Sequence, residues 1–244
     1  MFSVLGSLGA ITAAASFLLL DDTKQKSLVS LLISFATGTL LAAAFLGLLP
    51  EAIEEIGGPH LILPFVLGGI LFFFFLEKLI IWRSCQNNSC EVHGSETAGP
   101  IILVGDSFHN FTDGIVIASA FLTNFSIGLI ASLSIILHEI PQETGDFGIL
   151  LHSGYTKKKA YFYNALSSSA TIPAAIISYF ILDAIELLKP FMLALSAASF
   201  LYIALSDLAP ELHKKVGSKD YIKQLILILL GVALMAIILM FHMH

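Results

Sequence analysis

Two neighbouring stretches of this chain carry side chains that can bind a metal ion or relay a proton. The first stretch supplies carboxylate, imidazole and amide groups, from Asp106, His109, Asn110 and Asp113. The second supplies the same three kinds of group, from His138, Glu139, Gln142, Glu143 and Asp146. Imidazole nitrogen combined with carboxylate and amide oxygen suits zinc, ferrous iron, manganese and cadmium. Neither stretch contains Cys or Met, which argues against a dedicated copper(I) site.

The spacing of these residues about a central turn places the two stretches side by side. The turn centres near Asn124, with His109 15 residues before it and His138 14 residues after it. In two helices that rise about 1.5 Å per residue, both imidazoles lie roughly 21 to 22 Å from the turn. An antiparallel hairpin therefore brings them to one level, together with Glu139. Asp113 lies on the face of His109 at a spacing of four, so the pattern predicts a cluster of metal ligands.

The remaining polar residues extend this cluster along the two helices. Asn110 lies three residues from Asp113, and Gln142 lies four residues from His138 on the same face. Three acidic side chains continue the series away from the turn, as a predicted ion pathway: Asp106, Glu143 and Asp146. These are more ligands than one tetrahedral ion needs. A shared carboxylate such as Asp113 could therefore bridge two ions.

Outside the two polar stretches the chain is strongly apolar. Its 244 residues are 57% hydrophobic and 12% charged, whereas ordinary soluble domains carry about 25% charged residues. So few charges cannot cover a water-soluble globule of this size, which excludes a soluble enzyme, a nucleic-acid binder and a disordered chain. Two cysteines imply no disulfide framework. We expect a single polytopic membrane domain over residues 1–244.

Eight apolar runs have the length of a membrane-spanning helix, which needs about 20 apolar residues. They lie near 2–20, 27–50, 60–82, 100–122, 126–151, 160–182, 190–209 and 221–242. No basic residue precedes the first run, so we expect a helix there and not a signal peptide. The sequence therefore predicts an all-α integral membrane protein with eight transmembrane helices.

The basic residues indicate which side of the membrane each loop faces. Eight spans put both termini on one side. If that side is outside the cytoplasm, the loops of the other side hold most of the basic residues: Lys24, Lys26, Arg83, Lys157, Lys158, Lys159, Lys214, Lys215 and Lys219. The outer segments hold only Lys189. Cytoplasmic loops carry the Lys and Arg excess, so we predict that both termini lie outside the cytoplasm.

The second and seventh runs end in the same way. Each closes on a Pro-Glu pair, Pro50-Glu51 and Pro210-Glu211, after a helix rich in Ala, Ser and Gly. In the predicted topology the two helices run in opposite directions. This predicts a three-plus-two-plus-three arrangement, in which inverted repeats flank the fourth and fifth helices. Inverted repeats are typical of membrane transporters.

At the two polar stretches the sequence resembles the ZIP (ZRT/IRT-like) family of divalent-metal transporters. The fourth-helix motif His-Asn-x-x-Asp-Gly is present at 109–114, and the fifth-helix motif His-Glu-x-Pro-x-Glu is present at 138–143. The resemblance covers essentially the whole chain. It implies transport of zinc, or of iron, manganese or cadmium, into the cytoplasm, with no cofactor besides the transported metal. It also implies a homodimer in the plasma (inner) membrane.

The resemblance implies a metal site on the fourth and fifth helices, formed by His109, Asn110, Asp113, His138, Glu139 and Gln142. At Gln142 many relatives have His. Some relatives draw a further carboxylate from the sixth helix, where this chain has only neutral polar groups, Asn164, Ser167, Ser168 and Thr171. The cytoplasmic loop 83–99 contains Cys85, Cys90 and His93, whose loose spacing fits either transient metal binding or a flexible connector.

Two other functions remain open on the residues alone. Chains of Asp, Glu and His also relay protons, so a proton-coupled carrier of another solute is one alternative. An intramembrane metallohydrolase is the second, but its zinc helix needs His-Glu-x-x-His. Gln142 stands at the second His, and Pro141 is expected to break that helix. Packing alone is a poor explanation for two His and several acids in register. We therefore expect a transporter and not an enzyme.

Overall fold

The computed structural model describes residues 3, 9–17, 22–84, 95–184, 186–213 and 218–242. Over these residues the chain is helical, with short turns between helices and no strand among them. The prediction of an all-α protein is therefore confirmed. Cys85, Cys90 and His93 lie outside the described residues. Both predicted roles of the loop that contains them therefore stay predictions.

The helices follow one another along the chain with few intervening residues. The first half holds α1 (Ala10–Phe17), α2 (Asp22–Ala42), α3 (Leu49–Ile56), α4 (Pro59–Ser84) and α5 (Ser95–Thr123). The second half holds α6 (Phe125–His152), α7 (Lys157–Ser168), α8 (Thr171–Ala184), α9 (Lys189–Tyr202), α10 (Ala209–His213) and α11 (Ser218–His242). A 3₁₀ turn, Glu186–Leu188, leads into α9.

Six helical stretches among the described residues are long and apolar enough to cross a membrane. They are Leu31–Ile56, Pro59–Leu79, Phe125–Leu151, Lys157–Leu182, Lys189–Ser206 and Asp220–Met240. Helix α5 has 29 residues but is not among the six, because the polar side chains in its middle lower its mean hydropathy. Only eight residues of the first predicted span are described as helix α1. The total of eight transmembrane helices stays a prediction, and so does the side of the membrane on which the termini lie.

Helices α5 and α6 form the antiparallel hairpin that the sequence predicts. A single residue, Asn124, separates them, and its side chain accepts a hydrogen bond from the Ser126 backbone N–H at 2.7 Å. Such a cap satisfies a backbone donor that the first turn of α6 would otherwise leave unpaired. The expectation that Pro141 breaks the fifth helix is wrong, since α6 is continuous from Phe125 to His152. Membrane helices tolerate Pro where neighbouring groups satisfy the freed carbonyl.

The sixth predicted span consists of two helices joined by a two-residue turn. The Ser169 backbone N–H donates to Ala165 O at the end of α7, and the Ile172 N–H donates to Ser169 O at the start of α8. Pro173 has no backbone N–H, so it cannot continue the hydrogen-bond ladder through this point. The chain therefore ends one helix and begins the next with Pro in its first turn.

Two π-helical segments precede the two Pro-Glu pairs. Ala43–Leu48 joins α2 to α3, and Ile203–Leu208 joins α9 to α10. In each, the residue before the proline donates its N–H to the carbonyl five residues back, Leu49 to Ala44 and Ala209 to Ala204. The widened turn accommodates a residue that could not complete an α-helical ladder. The match supports a repeat, whose inverted arrangement stays a prediction.

Close contacts between helices depend on small residues. Helix α5 packs along α8, and a Cβ placed on Gly114 would lie 2.6 Å from Ala174 Cβ and overlap the Thr171 carbonyl. Helix α2 packs along both α6 and α11, and α9 packs along α4. Helices α4 and α11 turn many large apolar side chains outward, Phe72, Phe75 and Leu229 among them. An apolar surface of this extent suits hydrocarbon and not water.

Candidate metal centre

The two predicted imidazoles and two acidic side chains meet between α5 and α6. His109 and Asp113 come from one face of α5, and His138 and Glu139 from consecutive positions of α6. One ligand atom of each lies within 4.8 Å of the others. We call this group of His109, Asp113, His138 and Glu139 the histidine cluster. The predicted common level of the two imidazoles is therefore confirmed.

The distances within the histidine cluster leave room for one ion between its members. The two Nε2 atoms are 3.1 Å apart. Glu139 Oε1 lies 3.4 Å from the Nε2 of His109, and Asp113 Oδ2 lies 3.5 Å from the Nε2 of His138. Both imidazoles and both carboxylates thus turn ligand atoms toward one point. Two nitrogens and two oxygens complete the tetrahedral set that zinc prefers.

A backbone hydrogen bond determines which nitrogen of His138 faces the cluster. Its Nδ1 lies 3.0 Å from Ser134 O, and a carbonyl can only accept, so Nδ1 carries the proton. The neutral ring then offers its Nε2 lone pair to the cluster. Phe200, which is fully buried, contacts the ring edge-on, with centroids 6.3 Å apart. The hydrogen bond and this contact together hold His138 in one orientation.

Four carboxylate oxygens of the histidine cluster have no hydrogen-bond partner. They are both oxygens of Asp113 and both oxygens of Glu139, and the two residues are fully buried. A buried carboxylate without a partner is destabilising, since an ion loses several kcal/mol of hydration. A divalent cation held between the two imidazoles would supply that missing partner. The donor set therefore fits a transported cation better than it fits simple packing.

A second group of acids shares Glu139 with the first. Oxygens of Asp106, Glu139 and Glu143 lie within 4.8 Å of one another, and all three residues are buried. We call this group the carboxylate cluster. It contains no nitrogen ligand. Glu139 thus lies between a site of mixed nitrogen and oxygen and a group made of oxygen alone.

Helix α7 holds the carboxylate cluster by two hydrogen bonds. Ser167 Oγ donates to Asp106 Oδ2 at 2.6 Å, and Asn164 Nδ2 donates to Glu143 Oε2 at 2.5 Å. Asn110 Nδ2 donates to Asp106 Oδ1 at 2.9 Å from within α5. These partners on the sixth span were not assigned a role from the sequence. Their spacing of three and four along one helical face is the signal that could have found them.

The other predicted site residues lie on the same two helices, beside the members of the two clusters. Asn110 is buried, and its Oδ1 accepts hydrogen bonds from the hydroxyls of Ser168 and Thr171 at 3.3 and 2.8 Å. Gln142 is half-buried and takes part in none of the described hydrogen bonds of the site. Asp146 is buried one turn beyond Glu143. Their predicted roles as ligands or pathway groups stay predictions.

The comparisons with known proteins agree on one family. The family model described as ZIP Zinc transporter matches residues 1–87 and 82–239. "Zinc transporter ZIP13 homolog" of Drosophila melanogaster is 30% identical over 91% of this chain and 81% of its own length. "Zinc transporter zipt-7.2" of Caenorhabditis elegans is 28% identical over 93% of this chain and 63% of its own length.

A third relative has the same pattern of coverage. "Zinc transporter ZIP13" of Pongo abelii is 33% identical over 86% of this chain and 66% of its own length. The chain thus spans slightly less than two thirds of the length of the Caenorhabditis elegans and Pongo abelii proteins. All three relatives are named as zinc transporters and none of them as an enzyme.

Proposed function

Since this chain belongs to the ZIP zinc transporter family, we propose that it carries zinc and similar divalent cations across a membrane through the histidine cluster. The single observation that supports this site most is the set of four unpartnered carboxylate oxygens beside two imidazoles. Ionisable groups at membrane depth are rare and mark ion pathways by default. We infer that Asp113 and Glu139 are kept because a cation pairs with them.

Binding begins with exchange of water for protein ligands. His109 is the member with accessible surface, 18% of its side chain, whereas the side chains of Asp113, His138 and Glu139 are fully buried. An arriving cation therefore meets His109 first and loses its waters as the other three ligands close on it. The two negative charges offset the charge of the cation, which lowers the cost of holding it away from water.

Release follows the acidic side chains away from the turn. Asp106, Glu143 and Asp146 extend from the histidine cluster along the hairpin, each in a buried position. We infer that they form the route to the cytoplasm. Import is the direction that the family resemblance implies, and the excess of basic residues in its loops supports a cytoplasmic side for this end of the hairpin. Lys157, Lys158 and Lys159, exposed at the start of α7, belong to that side.

Zinc flux into liposomes tests the proposal. The purified chain should carry zinc down its gradient, measured with an entrapped fluorescent indicator, and Asp113→Ala or His138→Ala should lower the flux at least tenfold. Thr112→Ala is the matched control, because within the part of the chain that the structure describes this hydroxyl bonds only to Phe108 O of its own helix, at 2.9 Å. Unchanged flux in both site variants would refute the assignment of the histidine cluster.

A proton-coupled carrier of another solute is the second candidate, favoured by the contact between the two imidazoles. Nitrogens 3.1 Å apart can share a proton as well as a cation. Equilibrium dialysis with zinc separates the two functions. Binding that disappears in His138→Ala supports metal transport, whereas a wild-type chain that binds no zinc but acidifies liposomes supports the proton relay.

The assembly and the cellular location are also proposals. We infer a multi-pass protein of the plasma (inner) membrane that functions as a homodimer with both termini outside the cytoplasm, as the family resemblance and the distribution of basic residues suggest. Mass photometry of the detergent-solubilised chain checks the dimer. A membrane-impermeant label applied to intact cells, directed at an epitope added after His244, checks the side of the C-terminus.

A further inference from the structure

Three lysines at the start of α7 form a charged surface that the proposed transport does not use. We propose that Lys157, Lys158 and Lys159 bind the phosphate of an anionic phospholipid headgroup at the membrane surface. All three side chains are exposed, and α7 begins at the first of them. We call these residues the lysine cluster. The lipid site goes beyond the proposed transport function and does not depend on it.

No acidic side chain balances the lysine cluster. The sequence has no Asp or Glu between Asp146 and Asp183. Within the part of the chain that the structure describes, none of the three ammonium groups takes part in an ion pair. Three positive charges on consecutive residues repel one another, so a bound anion replaces that repulsion with attraction.

The start of α7 adds to this attraction for an anion. Thr156 is the N-cap, and its hydroxyl accepts a hydrogen bond from the backbone N–H of Lys159 at 3.4 Å. The first N–H groups of a helix have no partner within that helix, and the helix dipole places partial positive charge there. Phosphate groups are favoured at such an end. Here the favourable helix end coincides with three charged side chains.

The position of the lysine cluster along its helix indicates a lipid and not a soluble anion. One of the six stretches long and apolar enough to cross a membrane is Lys157–Leu182, so the cluster lies at the end of a span. Long basic side chains at the end of a membrane helix extend into the headgroup region. Clusters of Lys in this position are typical of binding to anionic lipid headgroups.

A layer of exposed aromatic rings lies one helical turn from the lysine cluster. Each lysine is followed four residues later by an aromatic residue, in the order Tyr161, Phe162 and Tyr163. The three aromatic residues are 42%, 60% and 40% exposed. Residues four apart share a helix face and lie about 6 Å apart along the axis. Tyr is enriched at the membrane interface, so the two layers match the phosphate and the less polar glycerol region of a phospholipid.

The aromatic layer is fixed to the rest of the structure. Tyr163 contacts Phe162 and Tyr155 edge-on, with ring centroids 5.5 and 5.8 Å apart. Tyr155 lies between α6 and α7, and a Cβ added to Gly99 of α5 would lie 2.8 Å from its ring. The surface that receives the lipid is therefore formed before the lipid arrives, which lowers the entropic cost of binding.

Native mass spectrometry of the purified full-length chain in detergent tests the site. The chain should retain phosphatidylglycerol in preference to phosphatidylcholine when both are added in equal amounts. Each lysine is expected to contribute about fivefold, so the triple variant Lys157→Gln, Lys158→Gln, Lys159→Gln should bind phosphatidylglycerol on the order of 100-fold more weakly. The triple variant Lys157→Arg, Lys158→Arg, Lys159→Arg keeps the charges and should keep the binding.

A matched control separates the lysine cluster from positive charge in general. The double variant Lys78→Gln, Lys223→Gln removes two exposed lysines of α4 and α11 and leaves the cluster intact. Its affinity for phosphatidylglycerol should change by less than about twofold. A loss as large as that of the triple glutamine variant would overturn the site, because any surface charge would then suffice.

The remaining outcomes each decide one point. Equal phosphatidylglycerol binding by the wild type and the triple glutamine variant overturns the site. Inorganic phosphate at matched ionic strength should leave the lipid bound, and full displacement would assign the cluster to a soluble phosphate instead. Size-exclusion chromatography identifies misfolded samples, for which Lys158→Gln alone, with an expected effect of about fivefold, replaces the triple variant. Zinc flux in liposomes is measured separately, so its absence refutes transport while the lipid site stands.

Discussion

The histidine cluster and the carboxylate cluster share Glu139 but are supported in opposite ways. In the first, both oxygens of Asp113 and of Glu139 lack a hydrogen-bond partner. In the second, Asp106 and Glu143 each receive a hydrogen bond from α7. Unpaired ligands gain most from a cation, whereas supported ligands are positioned before it arrives. The comparison indicates that the histidine cluster depends strongly on a bound ion for its stability. The carboxylate cluster depends instead on the hydrogen bonds from α7.

The largest expected effect is that of Asp113→Ala. Loss of this ligand should weaken zinc binding by about 100-fold. It also removes a buried carboxylate that accepts no hydrogen bond, so the free energy of unfolding of the metal-free protein should rise, by about 1–3 kcal/mol. Isothermal titration calorimetry measures the affinity, and thermal unfolding with and without a chelator measures the stability. A metal-free variant less stable than the wild type would contradict the account of its unpaired oxygens.

Gly114→Ala should damage the support of the carboxylate cluster. The added Cβ would overlap the backbone carbonyl of Thr171 and push α8 from α5. We expect a loss of about 1–3 kcal/mol in the free energy of unfolding, typical of overpacking and measured by thermal unfolding. Gly105→Ala on the same helix is the control, since a Cβ added there would meet no atom within 4 Å. That variant should be neutral or stabilising by about 0.5–1 kcal/mol.

Asn164→Ala sharpens the comparison because it removes the partner of one acid, Glu143, to which the described hydrogen bonds of the Asn164 side chain go. Glu143 would stay buried but would lose the hydrogen bond to its Oε2 atom. We therefore expect a loss of about 1–2 kcal/mol in the free energy of unfolding. Zinc affinity at the histidine cluster, measured by calorimetric titration, should change by less than about twofold. A larger fall in zinc affinity than in stability would show that the two clusters cannot be treated separately.

The smallest effect should come from Ser168→Ala. This hydroxyl donates to Asn110 Oδ1 at 3.3 Å, while Thr171 donates to the same oxygen at 2.8 Å. Because the second bond persists, stability should fall by only about 0.5–1 kcal/mol, the net value of an ordinary hydrogen bond. Denaturant unfolding of Ser168→Ala, of Thr171→Ala and of the double variant checks this. A Ser168 effect exceeding that of Asn164→Ala would reverse the order expected of α7.

Helical period and register were enough to predict the centre of the site. The common level of His109 and His138 follows from counting residues to Asn124, since both helices rise equally from one turn. The same counting places Asp113 beside His109. These are local consequences of the sequence, so they needed no knowledge of how other helices pack. The all-α class likewise follows from apolar runs of membrane length.

The supporting side chains could not be predicted in the same way. Asn164 and Ser167 meet Glu143 and Asp106 across distances of 21 and 61 residues in the chain. Such contacts depend on how α7 packs against the hairpin, which no periodicity within one helix determines. The division of the sixth span at Ser169 and the continuity of α6 through its proline are also outcomes of packing and not of propensity alone.

The one-residue turn at Asn124 has a mechanical consequence for the centre of the site. A connector of this length contains no slack, and its residue is also engaged as the cap of α6. One helix therefore cannot slide past the other by even a single residue, a step of about 1.5 Å, without breaking that cap. The turn therefore fixes the axial register of the two imidazoles, although they lie 15 and 14 residues away from it. Conformational changes that admit or release an ion must therefore move α5 and α6 together as one rigid body, or move the helices around them.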